Sequence, residues 1–146
     1  MKRGTARSLF GAAHRTVRSL RFPRPGFDYR RTQRHCVRRG TDYGGWWFDP
    51  SVPLTGGLVV SAGAGEDISF DIAIAGAYGV DVLIVDPTPR AVAHVEAVLS
   101  RSGRDATTPF VDGGQQPVEA YDLAHVRPDQ VTLAAVALWS EDRELS

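Results

Sequence analysis

The chain has 146 residues, enough for one domain with its own core, and a hydrophobic fraction of 42% that is ordinary for a globular protein. Basic and acidic side chains number 17 each, so net charge excludes no class of partner. No apolar run approaches the roughly 18 residues of a membrane span, and the N-terminus lacks the apolar stretch of a secretory signal. The single cysteine, Cys36, rules out an internal disulfide and cannot build a zinc cluster alone, which fits a reducing, cytoplasmic setting.

The first 40 residues form a basic arm. Lys2 and eleven arginines lie there against one acid, Asp28. The arm is Arg-rich and acid-poor like a mitochondrial transit peptide, but arginine is preferred over lysine along the whole chain, as GC-rich codon usage would produce. No aromatic platform interleaves the arginines, so nucleic acid is not the expected partner. Pro23 and Pro25 interrupt the arm, and a short helix over Ser8 to Leu20 could place Phe10, Val17 and Leu20 on one face. The arm reads as solvated or as a lid helix. Residues 41 to 56 read as a loop whose Tyr43, Trp46, Trp47 and Phe48 surround the Gly44-Gly45 pair. These aromatics are expected either to plug the sheet edge or to cover a ligand.

From residue 57 the chain alternates between strand and helix patterns, which predicts an α/β fold. Leu58-Val59-Val60 is a continuous apolar run, as in a buried parallel strand. A Gly63-Ala64-Gly65 turn follows, then a helix from about Asp67 to Tyr78, apolar on more than one side and stopped by Gly79. The second strand, Val82 to Val85, ends at Asp86. Thr88 and Pro89 are the expected N-cap and first residue of a second helix, with a stripe at Val92, Val95 and Leu99 and a stop at Gly103. Residues 104 to 128 read as loop, and Val131 to Trp139 as a third strand. His94 is expected at the surface or partly packed. His14 and His35 belong to the arm, His125 in the loop before the third strand is a minor candidate for a base, and no set with Cys36 has zinc-ligand spacing.

The order strand, Gly-x-Gly turn, helix, strand, acid suits a nucleotide. A turn without Cβ atoms admits a ligand to the backbone, the helix N-terminus offers donors, and an acid ending the second strand can accept from a ribose diol. Asp86 follows Gly65 by 21 residues, as such a unit requires. The dinucleotide fingerprint would want a glycine where Ile68 stands, and Glu66 and Asp67 would repel a diphosphate. S-adenosylmethionine (SAM) has no phosphate and carries two cationic groups, so these acids favour it over NAD. Both acids could equally serve as caps of the helix start.

Three blocks then resemble a known family. Asp42-Tyr43-Gly44-Gly45-Trp46-Trp47, the stretch Val59 to Asp71, and Asp86-Pro87-Thr88-Pro89-Arg90 are similar in order and spacing to a branch of the FkbM-type methyltransferases. The resemblance spans about residues 41 to 139. It implies a partial Rossmann-like, class I methyltransferase fold in three layers, SAM as cofactor, and O-methylation of a small molecule or sugar as methyl acceptor. By position, Gly63, Ala64 and Gly65 would approach the methionine part and Asp86 the ribose. Glu66 and Asp67 would border the charged end. Pro87, Thr88 and the Ala137 to Trp139 region would flank adenine. Many family members carry an acid where this chain has Ser61. Fewer strands are visible than such a sheet contains, so low activity of the chain by itself is expected, and no catalytic base is assigned. A homodimer or a completing chain, a non-catalytic SAM-binding remnant and an NAD-binding oxidoreductase fragment remain as alternatives.

Overall fold

The structure, a computed structural model, describes residues 35 to 138. The helix expected over Ser8 to Leu20, His14, Trp139 and the polar tail after it lie outside the described residues. The described part opens with a small antiparallel hairpin of β1 (Val37–Arg39) and β2 (Trp46–Phe48), in which Val37 faces Phe48. The end of the expected basic arm therefore enters a strand.

Next come β3 (Leu58–Ala62), α1 (Ser69–Tyr78), β4 (Asp81–Val85), α2 (Pro89–Leu99) and β5 (Val131–Ala134). The three strands run parallel in the order β3-β4-β5. This is a mixed α/β unit with a three-stranded parallel sheet and two helices. Two right-handed crossovers stepping the same way across a sheet put both helices on one face. Accordingly Ile72 and Ala75 of α1, Val95 and Val98 of α2, and Val82, Ile84 and Val131 of the sheet share one core.

The opposite face is open among the described residues. Strand residues alternate faces, and Leu58 and Val60 are 61% and 55% exposed while Val59 between them is half-buried. The described unit thus has two layers rather than the expected three, and β3 is not buried on both sides. An apolar run reports hydrophobicity, whereas crossover helices reach the second face only where the strand order reverses direction, which it does not do among these strands.

Helix boundaries follow the local chemistry. Asp67 precedes α1 instead of starting it, and its Oδ1 accepts from Ser69 N at 3.0 Å. Gly79 ends α1 in the left-handed region (φ 64°), donating to Ala75 O as a C-terminal glycine does. Thr88 and Pro89 start α2 as expected, although the Thr88 hydroxyl bonds elsewhere. The buried stripe of α2 is Ala91, His94, Val95 and Val98, with Val92 and Leu99 at its margins. The helix stops at Leu99, ahead of Gly103. β5 ends at Ala134, short of Trp139, because β4, its one neighbour among the described residues, ends at Val85; Asp86 N to Ala134 O (3.2 Å) is the last rung.

The shift of the α2 stripe has a visible cause. The long connection before β5 contains one short 3-10 turn, Val118–Ala120, yet Tyr121, Leu123 and Val126 are buried in the core. The Tyr121 hydroxyl accepts from Ile68 N (3.2 Å) and lies 3.0 Å from His94 Nε2. His94 is therefore buried and bonded, not a surface residue. Burial lowers its pKa against the pull of Glu66 and Asp67, which keeps the ring neutral and able to accept the tyrosine proton. Tyr121→Phe should leave one buried N–H and one ring nitrogen unpaired. A loss of about 2 kcal/mol is expected in urea denaturation; an unchanged midpoint would argue against this bridge.

Candidate functional site

The site begins at the C-terminal ends of β3 and β4. Gly63 and Gly65 adopt φ of 86° and 54°, and the space where a Cβ would stand is empty to 4 Å at both. Conformation, not crowding, requires glycine here, and it leaves an open approach to the backbone.

Asp86 stands directly against this bend. Its Oδ2 accepts from Ala64 N (2.8 Å) and Gly65 N (3.2 Å), and its Oδ1 accepts from Thr88 N (2.8 Å) and Thr88 Oγ1 (2.7 Å). Gly63 N adds a bond to Val85 O at 2.9 Å. Burial raises the carboxyl, but the bonds from Thr88, Gly65 and Ala64 together outweigh it and hold Asp86 below the usual carboxylate range. At 5% exposure the carboxylate works as a staple between bend and strand. Pro87 and Thr88, by contrast, are exposed.

The two acids after the bend diverge. Glu66 pairs with Arg90 and accepts from Gln115 Nε2 at 3.1 Å, on the α2 side. Asp67 turns the other way, to the hairpin. Its Oδ2 accepts from Thr41 Oγ1 (2.5 Å), while Thr41 N donates to Ser69 Oγ (2.8 Å) and Thr41 Oγ1 accepts from Gly44 N (2.9 Å). Asp67 thus ties the Thr41–Gly45 loop to the start of α1. A Cβ at Gly45 would stand 2.4 Å from Thr41 O and 2.6 Å from Arg39 O, both backbone atoms. Gly45→Ala should therefore lower stability by roughly 2 to 3 kcal/mol in thermal or urea unfolding.

This tie positions the aromatics. Phe48 packs edge-on against Phe70 and Tyr78 with centroids 6.1 and 5.3 Å apart, so it is the plug. Trp46 and Trp47 remain 69% and 63% exposed and border a groove of about 310 Å³ with Val59, Ser61, Gly63 and Phe70. A second groove of about 350 Å³ lies across the bend, between Gly65, Glu66, Thr88 and Arg90. Each is at the small end of ligand pockets, which run from roughly 300 Å³ upward. The bend separates them, so one extended ligand could lie in both.

The structure brings Gly63, Ala64, Gly65, Glu66, Asp67, Asp86 and Thr88 together around one bend. The Ala137 end of the third strand is described only to Leu138 and is exposed. Sequence reasoning missed Asp71 in the first turn of α1. It is 4% exposed, Ser61 bonds to it, and burial pushes its carboxyl up to about 6. An acid within an otherwise apolar helix face was the available signal. Among the described residues no helix is long and apolar enough to cross a membrane. Comparison of the chain with protein-family models, curated proteins and solved structures finds no match.

Proposed function

We propose that the bend and its two grooves bind SAM and that the protein is a methyltransferase of the FkbM type with a small-molecule or sugar acceptor. The observation that carries this reading is the Asp86 carboxylate seated on the Ala64 and Gly65 amides. A diphosphate needs those amides as donors, and here a carboxylate already takes them. Glu66, Asp67 and Asp71 add negative charge nearby, and the Arg90 guanidinium is paired with Glu66. Such a surrounding disfavours NAD and suits a ligand bearing cationic groups.

The residues fit such a ligand in two parts. The groove beside Gly65, Thr88 and Pro89 would take the adenosine, with a ribose hydroxyl replacing the Thr88 hydroxyl on Asp86 Oδ1. The groove beside Ser61 and Gly63 would take the methionine part. Bound SAM supplies an electrophilic methyl on a sulfonium, and the chain's own contribution is to hold it in line with an acceptor oxygen. Trp46, Trp47 and Phe70 would form an apolar wall there that excludes water.

The test is titration calorimetry and thermal shift with SAM, S-adenosylhomocysteine and NAD. Binding of the first two and not the third is expected. A response to NAD alone would transfer the reading to a nicotinamide-dependent oxidoreductase, and silence toward all three would remove it. The exposed Leu58 and Val60 favour one further reading, in which a second copy of the chain covers the bare sheet face. Sedimentation equilibrium showing a dimer, broken by Val60→Asp, would support it.

A further inference from the structure

β3 is an edge strand among the described residues, with β4 as its one neighbour. Along a strand the backbone groups of successive residues point to opposite sides. Gly63 N donates to Val85 O, and the register then turns Ser61 and Val59 toward β4 as well. The N–H and C=O groups of Leu58, Val60 and Ala62 therefore point away from β4, and no strand of the described residues pairs with them. Exposed edges usually carry a charge, a proline or a bulge that blocks further pairing. Leu58–Ala62 has no charge and no proline, and its register with β4 runs without a bulge.

The groove bounded by Trp46 and Trp47 runs along this edge. Its lining takes in Val59 and Ser61 from one face of β3 and Val60 and Ala62 from the other, so it follows the strand rather than lying over either face. No charged side chain lines it. An uncharged row of alternating backbone donors and acceptors fits another extended backbone, and symmetry makes β3 its own complement. A twofold axis perpendicular to the sheet sets two copies of β3 antiparallel. With the axis at Val60, that residue faces Val60 of the partner subunit, and Leu58 faces Ala62 of the partner subunit. Each outward N–H then meets an outward C=O. Leu58 and Val60, exposed in the single chain, gain apolar cross-strand neighbours. We propose that the chain dimerises by antiparallel pairing of β3 with β3 of a second copy, centred on Val60, which joins two three-stranded sheets into one. This rests on the reading above in which a second copy meets Leu58 and Val60, and it names the contact. The second strand takes the length of the groove beside Val60 and leaves the Gly63 end to the ligand.

Sedimentation equilibrium on the full chain and two variants separates the modes of contact. The unmodified chain should be a dimer. Val60→Asp sets like charges opposite each other and should abolish it. Val60→Pro keeps an apolar side chain and removes the outward N–H, a change that edge strands tolerate. By symmetry both copies lose a hydrogen bond, so the dimer dissociation constant should rise about thirtyfold. Amide hydrogen exchange on the unmodified chain decides where Val60→Pro fails to fold. The Val60 and Ala62 amides should be protected at high protein concentration and lose protection on dilution, while those of Val59 and Ser61 stay protected by β4. A dimer that Val60→Asp breaks and Val60→Pro leaves intact, or Val60 and Ala62 amides that exchange freely in the dimer, would overturn edge pairing and leave the second-copy reading in place. A chain that stays monomeric would overturn both.

Discussion

Asp86→Ala is expected to lower stability by about 3 to 5 kcal/mol. Four donors converge on this carboxylate, three of them backbone amides at the bend and the start of α2. Alanine would strand the N–H of Ala64, itself only 7% exposed, and release the Thr88 hydroxyl that ties α2 to β4. Asp86→Asn would keep the acceptor oxygen for one side only and point an NH₂ at donors on the other, so it should recover little. The acid limb has a fixed sign. Asp86 titrates below its ordinary value of 3.8, so its stabilisation is complete above that value and disappears as pH falls through its own lower pKa. Urea denaturation of the alanine variant near neutral pH measures the effect. A loss under about 1 kcal/mol, the size of a single net hydrogen bond, would mean that the bend holds its shape without the staple.

The staple was partly legible in the sequence. Two glycines after a short apolar run and an acid after the next run are local signals, and the parallel pairing of β3 with β4 brings them together. The stop at Gly79 and the start at Thr88-Pro89 were likewise local. The direction of the Asp86 carboxylate was not, because a sequence motif does not distinguish an acid that awaits a ribose from one that bonds its own backbone. The exposure of one sheet face among the described residues was not legible either: Leu58 and Val60 are as apolar as core residues, and the strand order tells which face these two helices take. His94 was misplaced because its partner Tyr121 lies 27 residues away in a stretch with no helical or strand period. Asp67 became a tie to Thr41 across 26 residues, a contact no local pattern encodes.

Asp71 should behave in the opposite sense to Asp86. Burial pushes its carboxyl up from 3.8 to about 6, with Asp67 adding to the rise and the Ser61 bond opposing it. A carboxyl with a raised folded pKa binds protons more tightly when folded, so the native state loses stability as pH rises through this window. The penalty is absent below about pH 4 and complete above the folded value of about 6. Asp71→Asn removes the charge and keeps an oxygen for Ser61. It should therefore match the unmodified chain near pH 4 and exceed it by on the order of 3 kcal/mol near pH 8. Denaturant titrations at those two pH values measure the difference, and a gain that is the same at both would show that the charge is not its source.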